Sequence, residues 1–140
     1  MINAVLDKQL MITVNNEIGT LAEITSLVAS SGINLVALCA YAVDNRGVIM
    51  FVSDNNLQAK KILKAKKFDV REEDVILISV SNKPGTLQAV TQKIADIGID
   101  LTLAYGSVDR DGKMSRIVVV TEDNEAVLMG LKIGLVGAKN

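Results

Sequence analysis

The chain has 140 residues, with 15 Lys and Arg against 16 Asp and Glu, a net charge of −1, and 49% hydrophobic but only 3% aromatic residues. That length admits one ordinary domain or two half-size ones, and the near-neutral balance provides no field to gather nucleic acid or acidic lipid. The absence of histidine removes the usual general base, a common zinc ligand and every Ser-His or Cys-His arrangement.

The opening MINAVLDKQL holds too short an apolar run for a signal peptide, broken by Asp7 and Lys8. QLMITVN has strand composition and runs into polar turn residues. From Gly19, apolar residues fall at Leu21, Ile24, Leu27 and Val28, which is helical spacing, and Gly32 stops the helix. NLVALCAYAV reads as a strand, DNRG as a tight turn and VIMFVSD as the returning strand of a hairpin. Its apolar core, LVALCAYAV, is far below the roughly 20 residues that span a bilayer. NNLQAKKILKAKK forms a lysine-rich helix with Ala59, Ile62 and Leu63 on one side, and FDV offers a short closing strand. The charged run Asp69–Asp74 marks a seam.

The same order then recurs. VILISVSN is a strand, a helix from Thr86 to about Ile97 buries Leu87, Val90 and Ile94, and DLTLAYGSV and SRIVVVTED form a hairpin across DRDG. NEAVLMGLK is a helix, and GLVGAK reads as a last strand weakened by Gly134 and Gly137. Its place in the sheet is open to a strand from the N-terminus instead.

The repetition is in the letters as well as the pattern. Met11–Leu35 aligns with Leu77–Leu101, matching Asn16 with Asn82, Gly19 with Gly85, Thr20 with Thr86, Leu21 with Leu87, Gly32 with Gly98 and Leu35 with Leu101. This is an internal duplication, with residues 1–72 as one unit and 73–140 as the other. Each reads β-α-β-β-α-β, an α+β unit whose antiparallel sheet carries two helices on one face. A free 70-residue unit is marginal, and no Gly-, Ser- or Pro-rich linker separates the copies, so docked halves are expected. VIMFV and LVALCAYAV are apolar at odd and even positions alike, whereas a half-solvated strand alternates. Packing by a second copy in a homodimer is the expected cover, and cover from within the chain is the rival.

Little conventional chemistry is available. Cys39 is alone, which excludes an internal disulfide and suits a cytoplasmic protein. No GxxxxGK[ST] or GxGxxG is present. REED and TEDNE read as solvated charge, the latter at a helix start where acids are favourable. The five lysines from Lys60 to Lys67 lack aromatic interleaving, so no nucleic-acid role is expected. No catalytic residue, metal or cofactor is expected. The loops Asn16-x-x-Gly19 and Asn82-x-x-Gly85 differ, because each lies between a strand and a helix start. The first amides of a helix have no intrahelical partner and carry the positive end of its dipole, which suits a carboxylate. The asparagine amide both donates and accepts, matching an ammonium beside that carboxylate. Tight turns that use Asn and Gly only for backbone shape explain the same letters, and the residues by themselves leave both readings open.

VNNEIGTLAEITSLVASSGINL and VSNKPGTLQAVTQKIADIGIDL resemble the ACT-domain pattern, in which a strand leads into a polar-Pro-Gly-x-Leu helix start and Gly-(Ile/Val)-Asn opens the next strand. The resemblance covers nearly the whole chain as two tandem copies. It implies ferredoxin-like folds, binding of small molecules, chiefly amino acids, at interfaces between units, and regulation of a partner enzyme or regulator rather than catalysis. A structural or protein-interaction module that has lost its ligand is the alternative. By position, the ligand contacts would be Asn16, Glu17, Ile18, Gly19, Thr20 and Leu21 in the first copy and Asn82, Lys83, Pro84, Gly85, Thr86 and Leu87 in the second. Asn34 and Asp100 match the position that reaches across the interface. Ile18 replaces the favoured proline and Asp100 the favoured asparagine, so the two sites are expected to differ.

Overall fold

A computed structural model describes residues 2–108, 111 and 113–137. Its elements are β1 (Ile2–Asn15), α1 (Thr20–Ser30), β2 (Leu35–Val43), β3 (Arg46–Ser53), α2 (Asn56–Ala65), β4 (Asp69–Ser81), α3 (Thr86–Ile97), β5 (Leu101–Val108), β6 (Met114–Thr121) and α4 (Asn124–Gly137). The expected DRDG turn lies largely outside the described residues.

The chain forms two compact units, and neither is a contiguous segment. The N-terminal unit is Lys8–Glu73, and the C-terminal unit joins Asp74–Asn140 to Met1–Asp7. The first residues thus cluster with the second copy rather than the first. The reason lies in β1 and β4, each of which runs from one unit into the other. The charged run Asp69–Asp74, read as the seam, is part of β4.

In the N-terminal unit the strand order is β2-β3-β1-β4, the ferredoxin-like order for a βαββαβ chain. β3 pairs antiparallel with β1, Ile12 opposite Ile49, and with β2, Cys39 opposite Met50. Its core joins Leu10 and Ile12 of β1, Ile49 and Phe51 of β3, Ile24 and Val28 of α1, and Ala59 and Leu63 of α2. Those helical residues occupy one stripe because they recur at three- and four-residue spacing.

The C-terminal unit has the equivalent order β1-β4-β6-β5, with Ile76, Ile78, Val80, Ile117 and Val119 facing Val90, Ile94, Val127 and Leu131. Its fourth strand comes from the head of the chain, whose Ala4 is 4% exposed within this core. Of the strand expected over GLVGAK, Gly134–Gly137 are helical instead, and the last two residues lie outside the described residues. The backbone continues as α4 through Gly137, so that segment cannot return along the sheet, and the N-terminal residues fill the place instead.

The second sheet face also departs from expectation. Met50 and Val52 alternate with core-facing Phe51, and Val118 lies between Ile117 and Val119, yet they are only 1%, 0% and 0% exposed in the single chain. Their apolarity therefore needs no second copy to cover it, and the inference of a dimer from these positions loses its premise. Leu38, Tyr41 and Val43 on β2 do remain exposed.

Candidate functional site

The helices begin in two contrasting ways. At α2, Asn55 accepts a hydrogen bond from the Gln58 N–H through its side chain at 3.2 Å, and at α4, Asp123 does the same for Ala126 at 3.1 Å. These ends are closed by side-chain caps. A further asparagine locks each one to the sheet. The Asn56 Oδ1 accepts from the Ser53 N–H at 3.0 Å and from its hydroxyl at 2.6 Å, while Nδ2 donates to the Lys8 carbonyl at 2.8 Å. Asn124 repeats this with the Thr121 N–H at 2.8 Å, the Thr121 hydroxyl at 2.9 Å and the Asp74 carbonyl at 2.9 Å.

α1 and α3 have no side-chain cap at all. Their cap positions are Gly19 and Gly85, at φ 92° and 88°, a left-handed conformation that is costly for any residue with a Cβ. The Thr20 N–H bends back to the Glu17 carbonyl at 3.4 Å, and the Thr86 N–H to Lys83 at 3.2 Å. The next amides, at Leu21 and Ala22 and at Leu87 and Gln88, have no acceptor among the described residues. Each loop is pinned to its own hairpin turn, since the Asn16 N–H donates to the Asn45 carbonyl at 2.8 Å and the Asn82 N–H to Lys113 at 3.2 Å. The side-chain amides of Asn16 and Asn82 make no hydrogen bond to the described residues.

Beside each open start lies a cleft between the loop, the helix and the hairpin. In the N-terminal unit it has a volume of 210 Å³ and is lined by Asn16, Glu17, Thr20 and Leu21 with Val14, Ala40 and Ile49. In the C-terminal unit it measures 340 Å³, with Asn82, Lys83, Thr86 and Leu87 against Val80, Gly106 and Ile117. The latter falls within the roughly 300–1,000 Å³ of ordinary small-molecule sites. A third recess of 410 Å³ in the N-terminal unit adjoins the same loop and carries Glu17, Glu23, Arg46, Lys67 and Asp69.

The structure thus gathers four of the six expected loop residues of each copy around a cleft. Ile18, Gly19, Pro84 and Gly85 belong to the loops without lining these clefts, and Ile18 is fully exposed. Asn34 and Asp100 are elsewhere. They precede β2 and β5, at the strand ends away from the clefts, and the Asn34 main chain is engaged with Asp54. The apolar walls Val14, Ala40 and Ile49 were not among the expected contacts; their signal was the hairpin register, which the sequence does not print.

Two ferredoxin-like βαββαβ units, each with a glycine-led, uncapped helix start, have the fold of the ACT class. The model of the ACT domain pair matches residues 5–136, and the chain belongs to that family. Among solved structures it is similar to a protein from Bacteroides thetaiotaomicron, with 29% identity, a TM-score of 0.86, and coverage of 94% of this chain and 90% of that one. The ligand-free regulatory subunit of aspartate kinase from Thermus thermophilus is similar in fold at 16% identity and a TM-score of 0.65, covering 92% and 94% of the two chains. The corresponding subunit from Thermus flavus gives 15%, 0.64, and 96% of each chain. No curated protein matches the chain significantly.

Proposed function

We propose that this protein is a non-catalytic regulator that binds a small-molecule effector, an amino acid, beside its glycine loops and passes the signal to a partner protein. The observation that carries the reading is the contrast between helix starts. α2 and α4 are closed by side chains, while α1 and α3 are left open above clefts. A ligand carboxylate would take the free amides of the first helical turn. The ammonium would meet the Asn16 or Asn82 amide, and the side chain would lie on the apolar wall. Family membership supports this use of the loops.

Asn34 and Asp100 would reach such a ligand only from a neighbouring unit, which gives binding a way to favour one arrangement of units over another. A coupling of about 1–3 kcal/mol suffices for regulation, well inside the roughly 8 kcal/mol of a micromolar complex. A homodimer assembled through the exposed β2 residues Leu38, Tyr41 and Val43 would supply such a neighbour, and we place its action in the cytoplasm. No described helix is long and apolar enough to cross a membrane.

A thermal-shift screen against the twenty amino acids tests the reading. One present at 100 times its dissociation constant should stabilise the chain by about 2.7 kcal/mol, and replacing both Asn16 and Asn82 by alanine should reduce that shift without unfolding the protein. A flat screen would move the reading to a protein-interaction module.

A further inference from the structure

We propose that the two clefts, although built alike, are different sites: the C-terminal cleft takes carboxylate-bearing ligands, the N-terminal cleft disfavours them, and Lys83 and Glu17 set the difference. The inference rests on the reading of the clefts as effector sites.

Glu17 and Lys83 occupy the same place in the repeat, and their main chains are bonded alike. The Glu17 N–H donates to the Asn15 carbonyl at 2.9 Å and the Lys83 N–H to the Ser81 carbonyl at 3.0 Å. Each residue's own carbonyl accepts the N–H of the first helical residue, Thr20 or Thr86. The helix starts therefore present matching amides to their clefts, although the Ile18 N–H has no counterpart at Pro84, and the side chain at this position changes the charge from negative to positive. Both side chains are exposed and line their clefts, and neither has an ion-pair partner among the described residues.

The first helical turn widens the contrast. α1 carries Glu23 there, whereas the first turn of α3 has no acid. Arg46 and Lys67 do not reverse the balance, because the recess they line holds three carboxylates, Glu17, Glu23 and Asp69. In the C-terminal unit, Arg116, next to core-facing Ile117, also lines the cleft and adds no negative charge.

An anion approaching the C-terminal loop meets a lysine and free amides. At the N-terminal loop it meets the matching helix-start amides behind Glu17, with Glu23 in the adjoining recess, and both charges oppose it. The apolar walls match, with Val80, Leu87 and Ile117 in one cleft and Val14, Leu21 and Ile49 in the other. Selection between the clefts therefore falls on charge. The larger volume, 340 against 210 Å³, acts in the same direction.

The test is an amide-resolved NMR titration of the full chain with each of the twenty amino acids, repeated on Lys83→Glu and Glu17→Lys. The position is exposed in both copies, so both variants should fold, and circular dichroism checks this. For any amino acid that binds, amides of 81–83 and 85–87 should saturate first, and those of 15–21 only at about tenfold higher concentration or more, the scale of one charge-assisted contact. Lys83→Glu should weaken the first response by a similar factor, and Glu17→Lys should bring the second loop into the same range. Equal affinity at the two loops, or a Lys83→Glu effect under about twofold on that scale, overturns the inference and leaves the effector reading intact. No response at either loop overturns both.

Discussion

Replacing Asn124 by alanine should weaken the C-terminal unit by an amount that the local geometry bounds. The residue makes three hydrogen bonds at 2.8–2.9 Å, joining the end of β6, the start of α4 and the Asp74 carbonyl of β4. A hydrogen bond of this kind contributes about 1 kcal/mol net. The site is half-buried, so water can partly re-satisfy the groups left behind, and the expected loss is about 2–3 kcal/mol. Urea unfolding followed by far-ultraviolet circular dichroism suits a chain without tryptophan. With a slope of roughly 1–3 kcal/mol per molar, the midpoint should fall by about 1–2 M at unchanged slope. Asn56→Ala supplies an internal replicate, since it breaks the matching bonds to Ser53 and the Lys8 carbonyl. Asn124→Asp keeps the acceptor for Thr121 but sets a carboxylate against the Asp74 carbonyl, so it should recover only part of the loss. Losses below about 0.5 kcal/mol in both alanine variants would refute the reasoning, because three intact bonds cannot each be worth so little.

Other outcomes follow from the same structure. Gly85→Ala should cost about 1–2 kcal/mol for backbone conformation alone, because a Cβ there meets nothing within 4 Å; thermal unfolding measures it, and Gly85→Asn should be tolerated better. Gly130→Ala should cost about 1–3 kcal/mol by overpacking, since its Cβ would lie 2.7 Å from Ile97 Cγ1, and adding Ile97→Ala should recover stability in a double-mutant cycle. Removing residues 1–7 should raise hydrogen exchange in the part of β4 after Asp74 more than in Leu10–Asn15, because those residues complete the C-terminal sheet. Light scattering that gives twice the 15.0 kDa chain mass, reduced to one by Leu38→Asp with Tyr41→Asp, would support assembly through β2, whereas a wild-type monomer would remove it.

How far the fold could be read before any coordinates depended on where the information sits. The duplicated strings placed both glycine-led helix starts, and alternating or continuous apolar runs placed the strands, because those signals are local. The head of the chain was read as a strand only as the alternative to GLVGAK, because Asp7 and Lys8 interrupt its pattern and its partner lies far away in sequence, in the C-terminal unit. A last strand weakened by Gly134 and Gly137 was expected, yet α4 runs through both; the propensity of single glycines is a weak signal. The matched Ser53–Asn56 and Thr121–Asn124 locks also went unread. The connection between β5 and β6 is longer than that between β2 and β3, which shifts the repeat out of its simple register. Of the candidate site, the loops were legible as motif; Asn34 and Asp100, expected to reach across an interface, lie at the strand starts away from the clefts of their own units.

A structure of the protein with an amino acid bound tests the central claim most directly. The account expects a ligand carboxylate oxygen at roughly 2.7–3.2 Å from the main-chain N–H groups at Leu87 and Gln88, or at Leu21 and Ala22. A ligand seated away from both glycine loops, with those amides closed by the protein's own side chains, would contradict it.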